Sequence, residues 1–555
     1  MSFKTKQVSS LEKVFYKDID NLKEVNKKTL MRGETFSYQI AMQADVNVTT
    51  LIDIDSPLKD YIKVYAVENA AMDFPVYADA DPDDDFITKE PGLMPDILQP
   101  LSTQNNIFRM QQGNPSAVWI TVKIPEDLTP GNYRINTIVK KHPAPQRLPI
   151  EDFEYNIPMD IEVINANLPK EQIMFTQWFY ADCIATAHNV EIYSDAHWDL
   201  IDKYMALANE LGINILLTPV ITPPLDTQVG LKRPCVQLVK IEKNGSKYNF
   251  DFTLLKKWID MAHKNGIEYF EIAHLFSQWG LFYTPNIKVW ENGVEDYMFG
   301  WHVESKSPEY KNFLEQFIPA LLEYFESEGI KDKCWFHVSD EPRPEHIENY
   351  TYAYNLLKPM LEDCNTLDAI SSFDFYQKGL IPHPVTAINH IEPFLEAKDK
   401  NQWAYYCCSQ NKKVSNRFLS MPSYRNRIIG LQLYKFDIQG FLQWGFNFYF
   451  SQYSRYEINP YVTSSSDFAF PSGDPFSVYP VKNGVVPSLR AVVFKEALDD
   501  IKICKKLEEL IGRDAVVKMI DDEAGMDVRF DAYPKNPDYI INLIEKMEQK
   551  IKEFC

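Results

Sequence analysis

Two acidic residues stand side by side at Asp340 and Glu341, behind a short apolar run and ahead of Pro342 in KCWFHVSDEP (333–342). Carboxylates at the end of a buried strand are costly unless they are solvated, paired or used. Glycoside hydrolysis would use them: it needs a proton donor at the leaving oxygen and a group that stabilises positive charge at the anomeric carbon. The usual two carboxylates come from separate strands and flank the bond, whereas sequence neighbours do not easily straddle a sugar. An adjacent pair suits substrate-assisted cleavage, in which a 2-acetamido oxygen attacks C1. One carboxyl then orients the amide and the other protonates the leaving group, and unequal surroundings give them unequal pKa values. The plainer reading is structural. Acid pairs are common in an acidic chain, Asp522–Glu523 being another, and Asp340 is placed to cap a following helix.

The elements that would position this pair can be read from the pattern around it. From about residue 172, short apolar runs alternate with amphipathic helical stretches, which argues for a parallel sheet. Strands are expected at 173–179, 213–219, 267–276, 333–342, 367–373, 385–390, 402–408 and 440–448. Helices are expected at 194–211, 252–265, 308–328, 344–361, 420–435 and 487–511. This fits an α/β fold built on a TIM-type (β/α)8 barrel, with its active site at the carboxyl ends of the strands. An insertion carries a hairpin turn at Asn244–Gly245. Residues 1–168 read as an N-terminal β-sandwich, with strand-like runs such as 36–41 and 117–122 and a turn at Pro130–Gly131. The acidic stretch 79–85 reads as a solvated loop. The barrel would cover 169–511, and 512–555 would be a helical extension made of a polar connection and one amphipathic helix.

Composition excludes several functions. A chain of 555 residues is too long for one core. A net charge of −21 repels phosphate backbones and anionic lipid, so neither nucleic acid nor membrane is an expected partner. No apolar run is long enough to span a bilayer, and residues 1–18 lack the apolar core of a signal peptide. The eight cysteines are scattered and none forms a C-x-x-C pair, so a reduced, cytoplasmic protein is expected. There is no phosphate loop and no nucleophile elbow. His274 and His337 on neighbouring strands have no zinc-site spacing, and neither a metal nor a cofactor is expected.

Several runs share one resemblance. CWFHVSDEP, EIAHLFSQWG (271–280), LLTPVITPPLDTQVG (216–230), FDFYQKGL (373–380), WAYYCC (403–408), VSNRF (414–418), FLQWGFNFY (441–449), SGDPFSVYP (472–480) and VPSLR (486–490) resemble, in order and spacing, glycoside hydrolase family 123. That resemblance implies a β-sandwich beside the barrel and a retaining, β-N-acetylgalactosaminidase-like activity by the acetamido-assisted route. It implies a carbohydrate substrate with a terminal N-acetylhexosamine, Asp340 holding the acetamido group, and Glu341 as general acid and then base.

Other polar and aromatic residues at expected strand ends are candidates for the pocket, each with packing as its bland alternative. Trp444 would wall the acetamido methyl or stack on the sugar, and Tyr406 would donate to the acetamido carbonyl. Trp178 and Asp182 end the first strand; His274, Gln278 and Trp279 follow the third; Asp374 and Tyr376 follow the fifth; Asn389 ends the sixth. Arg417 and Asn447 complete the set. Two alternatives stand beside the main reading. One is a retaining glycosidase for non-acetamido sugars, with Asp374 or Glu271 as nucleophile. The other is a non-catalytic carbohydrate-binding barrel, against which the presence of the acid pair argues.

Overall fold

The computed structural model describes residues 2–15, 19–77, 83–144, 150–171, 173–397 and 401–555. Its amino-terminal part is a sandwich of two five-stranded sheets. One sheet runs Phe3–Ser9, Thr35–Ala44, Ser116–Lys123, Ile62–Met72, Gly92–Pro100. The other runs Lys27–Arg32, Glu154–Asn167, Gly131–Lys141, Val48–Asp55, Ile107–Met110. Alternate residues of Val48–Asp55 are buried, as one solvated face requires. Val48, Ile52 and Ile54 meet Tyr38, Ile40, Val118 and Ile120 of the facing sheet in one apolar cluster. The turn at Pro130–Gly131 closes no hairpin; it carries the chain from one sheet to the other. Of the acidic stretch, 79–82 lie outside the described residues. Asp83 and Asp85 correct the expectation of a solvated loop: both pair with the buried Arg425, at 2.9 and 3.0 Å.

The alternating segment does form parallel strands, but in two open sheets and not in a closed barrel. One sheet runs Met174–Gln177, Gly440–Gln443, Trp403–Tyr405, Pro384–Ala387, Asp368–Ile370; the other runs Ile215–Thr218, Tyr269–Ile272, Cys334–Phe336, Asn365–Thr366. TIM-type closure fails at two seams. In place of the fifth strand expected at 367–373, two short strands flank Leu367, Asn365–Thr366 pairing to one side and Asp368–Ile370 to the other. Between Met174–Gln177 and Ile215–Thr218, Asn214 stands in for a ladder. Its N–H donates to the Phe175 carbonyl (3.1 Å), and its side chain accepts from the Phe175 N–H and donates to the Ile173 carbonyl, both at 2.8 Å.

Helices cover these sheets through apolar stripes. In Thr253–Lys264 the buried residues are Leu255, Trp258, Ile259 and Ala262, the spacing of a single helix face. Asp195–Glu210 starts under Ser194, whose hydroxyl accepts the His197 N–H. The hairpin at Asn244–Gly245 forms as expected and joins Ile287–Glu291 and Val294–Phe299 in a four-stranded sheet. The tail holds two helices, Arg513–Ala524 and Pro537–Lys552, one more than expected. No helix among the described residues is long and apolar enough to cross a membrane.

A buried ion pair joins the sandwich to the last long helix. Arg490, at the start of Leu489–Ile511, grips Asp96 of Gly92–Pro100 through Nε and Nη2 at 2.8 and 2.9 Å, and the Tyr479 hydroxyl donates to the same carboxylate at 2.6 Å. Asp96 is 0% and Arg490 2% exposed, so removing one partner leaves an uncompensated charge. Asp96→Ala is expected to lower unfolding free energy by about 3–5 kcal/mol in a denaturant titration. A loss below about 1 kcal/mol, typical of a surface pair, would show that the joint is not electrostatic.

Candidate active site

A pocket opens at the carboxyl ends of the parallel strands. Trp178, Gln278, Trp279, Asp340, Glu341 and Trp444 line it, together with Tyr180, Asp226, Tyr405, Cys407, Cys408 and Phe470. Successive residues of an extended strand point to opposite faces, so two neighbouring acids enter one pocket only if the backbone leaves the strand between them. It does. Cys334–Phe336 stops early, and beyond His337 the Asp368 carboxylate takes the N–H groups of Val338 (3.0 Å) and Ser339 (3.3 Å). Glu341 then adopts φ +43°, a left-handed conformation that costs a non-glycine residue about 1–3 kcal/mol and is characteristic of functional sites.

Each acid has its own partner. Gln278 Nε2 donates to Asp340 Oδ2 at 2.5 Å, and the Tyr405 hydroxyl donates to Glu341 Oε1 at 2.6 Å. Burial pushes both carboxyls above the ordinary range, and the neighbouring Glu341 charge lifts Asp340 further. Gln278 and His337 oppose the rise at Asp340; Tyr405 and Arg343 oppose it at Glu341. The pair therefore keeps a proton at a pH where free carboxyls have lost theirs.

Beneath the pocket lies a buried charged triad. His337 binds Glu271 through Nε2 (2.5 Å) and Asp368 through Nδ1 (3.2 Å). Burial pulls the imidazole pKa down, but the hydrogen bonds and charges of Asp368 and Glu271 outweigh it and carry it up to about 9. Glu271 also accepts from Thr176 Oγ1 (2.7 Å) and from the indole of Trp178 (2.6 Å), which fixes one pocket wall.

Of the residues expected in the pocket, Asp340, Glu341, Trp178, Gln278, Trp279 and Trp444 are brought together. The others are not. His274 stacks on His337 at 4.1 Å below the site, and burial together with the His337 charge keeps it neutral. Tyr406 packs edge-on against Phe441 at 5.0 Å, on the opposite face of its strand from Tyr405. Asp374 is exposed on the short helix Phe373–Gln377, where Tyr376 stacks on Phe373. Asn389 is exposed and bonded to Gln410. Arg417 is buried behind the site on Gln177 and Gln443, and Asn447 clamps the Tyr180 backbone from both sides. Asp182 is held by Arg233 at 2.6 and 2.7 Å. Tyr405 and Asp226 are the functional candidates that sequence reasoning passes over; the signal for Tyr405 is the strand's period of two, once its phase is known.

The family model of the glycoside hydrolase 123 catalytic domain matches residues 178–507, more than half of the chain, from the pocket's Trp178 onward. The chain belongs to glycoside hydrolase family 123. It is a glycosidase and acts on a carbohydrate. A family 123 glycoside hydrolase from Clostridium perfringens, solved in a study of glycolipid glycan hydrolysis, covers 100% of this chain and 98% of its own, with a TM-score of 0.74 and 15% identity. That likeness is one of fold. A PapD-like domain of human CEP192 covers 26% of this chain and 86% of its own at 13% identity; its TM-score of 0.15 carries no argument. None of the curated proteins matches the chain.

In this glycosidase the Tyr405 hydroxyl stabilises the ionised form of Glu341. Tyr405→Phe is therefore expected to raise the Glu341 pKa further, read by carboxyl infrared or 13C NMR titration. A fall toward the ordinary carboxylate range would contradict the assigned hydrogen bond.

Proposed function

We propose that the enzyme is a retaining exo-β-N-acetylhexosaminidase of the N-acetylgalactosamine type, using the substrate's own 2-acetamido group as nucleophile. The observation that carries this reading is the entry of two adjacent carboxyls into one pocket on different partners, Gln278 for Asp340 and Tyr405 for Glu341. Asp340 accepts the acetamido N–H and turns the carbonyl oxygen toward C1. That oxygen bonds to C1 as the bond to the leaving oxygen breaks, and Glu341 gives its proton to the leaving group. Glu341 then takes a proton from water, which attacks C1 from the vacated side and reopens the ring, so configuration is retained. Trp178 and Trp444 supply aromatic walls. Trp444 is held by its indole N–H on Asp474 at 2.8 Å and by Phe470 edge-on at 5.2 Å, which suits contact with the acetamido methyl.

The alternatives find less support. Glu271 is committed to Thr176, Trp178 and His337 below the pocket, and Asp374 is exposed elsewhere, so neither is available as a separate nucleophile. A non-catalytic role has no use for two carboxyls held above their ordinary range. No lysine, arginine or histidine lines the pocket among the described residues, which favours an uncharged terminal sugar over a sulfated or uronic one. The glycolipid glycan of the Clostridium perfringens study is one source of such a sugar. The same reading treats the parallel strands as a (β/α)8 scaffold opened at its seams over 169–511, flanked by a sandwich at 1–168 and a helical extension at 512–555. It places the protein in the cytoplasm, consistent with eight unpaired thiols.

Glu341→Gln is expected to lower kcat on a natural glycoside roughly 10²–10⁴-fold and on an activated aryl glycoside much less. Because the pair must keep one proton for Glu341 to deliver, wild-type activity should persist above the ordinary carboxylate range and fall as pH rises through the raised pKa of the pair. That alkaline limb should vanish in the variant, and full activity of the variant on a natural glycoside would remove Glu341 from the role. A thiazoline analogue of N-acetylgalactosamine should inhibit strongly; indifference to it would defeat the substrate-assisted route.

A further inference from the structure

Asp226 lies on the segment after strand Ile215–Thr218 and is tied to two other loops. Its N–H donates to Gln278 Oε1 at 2.5 Å. The Ser454 hydroxyl donates to its carbonyl at 2.7 Å, and the Tyr453 N–H to its Oδ2 at 2.9 Å. Its φ of +39° is a strained conformation that persists only where the surroundings over-determine it. The residue is 7% exposed and lines the pocket beside the acid pair. Its second oxygen, Oδ1, accepts no hydrogen bond from a described residue.

Gln278 links this carboxylate to the acids. Its oxygen is taken by the Asp226 N–H, so its NH2 group must face Asp340. Asp226 and Asp340 therefore sit at the two ends of one amide. On the reading above, Asp340 addresses the substituent at C2 and Glu341 the leaving group at C1. The next position around the ring from C2, away from C1, is C3. Burial lifts the Asp226 pKa to about 6, against the Tyr453 N–H and the charges of Arg233 and Arg455, so the group is an acceptor at neutral pH. Arg233 is itself bound to Asp182, and Arg455 lies over the Tyr453 ring at 5.2 Å.

We propose that Asp226 Oδ1 accepts a hydrogen bond from a hydroxyl on the C3–C4 edge of the terminal sugar, which makes Asp226 a specificity-determining residue. A bound sugar excludes water from the pocket, so a ligand with no hydroxyl there strands a buried carboxylate oxygen. Sites built in this way reject the deoxy analogue far more strongly than an apolar pocket rejects a missing methylene.

This assignment rests on the acetamido-assisted reading, and one experiment separates the two. kcat/KM is measured for wild type, Asp226→Ala and Asp226→Asn on 4-nitrophenyl N-acetyl-β-galactosaminide and its 3-, 4- and 6-deoxy analogues. Asp226→Asn keeps an acceptor for the Tyr453 N–H and guards against loss of fold, which a matching melting temperature verifies. Wild type should lose at least about 100-fold on the 3-deoxy or 4-deoxy sugar. Both variants should lose on the parent sugar and show little further loss on that analogue. A full deoxy penalty retained in both variants, or coupling only to the 6-deoxy sugar, overturns the assignment. Wild type inert toward every one of these sugars and indifferent to the thiazoline would sink the acetamido reading and this assignment with it.

Discussion

A side-chain carboxylate does the work of a missing strand at the centre of this protein. Asp368, 1% exposed, collects the N–H groups of Val338 and Ser339, the hydroxyl of Tyr350 and the ring of His337. Backbone N–H groups buried without a partner would be expensive, and here they are satisfied by an anion at the point where regular pairing ends. Because the carboxylate is fixed, the chain can turn immediately afterward into the left-handed step at Glu341. Without that step, Asp340 and Glu341 would face opposite sides of a sheet. The neighbouring loop adds two more ties: Ser339 Oγ donates to the Ser277 carbonyl at 2.9 Å, and the Trp279 N–H approaches the Asp340 carbonyl at 3.5 Å.

The charges are layered. The pocket holds carboxyls, and the layer below places an imidazolium between Glu271 and Asp368. Buried ions of this kind are costly unless every one is paired and hydrogen-bonded, and each member of the triad is. Seen from Asp340 the two signs pull against each other: the His337 charge favours ionisation and the Asp368 charge opposes it. The triad also shares its hydrogen bonds with pocket walls, since Glu271 orients Trp178. Floor and wall are therefore one network, and a change to either is felt at the acids.

How much of this could be read beforehand depended on the residue. Asp340 and Glu341 were legible because carboxylates at the end of an apolar run need a reason. Gln278, Trp279 and Trp444 were legible because they follow strands and are polar or aromatic. Strand phase was not. WAYYCC is apolar on both faces, so nothing in it distinguishes Tyr405 from Tyr406, and a one-residue error moves the side chain to the other side. Asp374 and Asn389 were misplaced because Asp368–Ile370 and Pro384–Ala387 end before their apolar runs do. Asp226 sits in a long insertion without periodicity, where position is set by contacts from distant loops. The open seams lie at Asn214 and Leu367, single residues whose roles no repeating pattern encodes.

The sandwich is bound to the catalytic part by more than proximity. Besides the Asp96–Arg490 grip, Ser10 donates to Glu496 at 2.7 Å, and the buried Lys13 Nζ donates to the Leu419 carbonyl at 2.7 Å. Asp73 gathers Ser464, Ser465 and Ser472 from the loop beyond Trp444. These partners are polar, mostly buried and far apart in the chain, so cutting between the two parts would leave orphaned groups on both cut faces. The sandwich is thus joined to the catalytic part as a wall is to a frame, and its removal would strip Arg490, Glu496 and the serine loop of their partners.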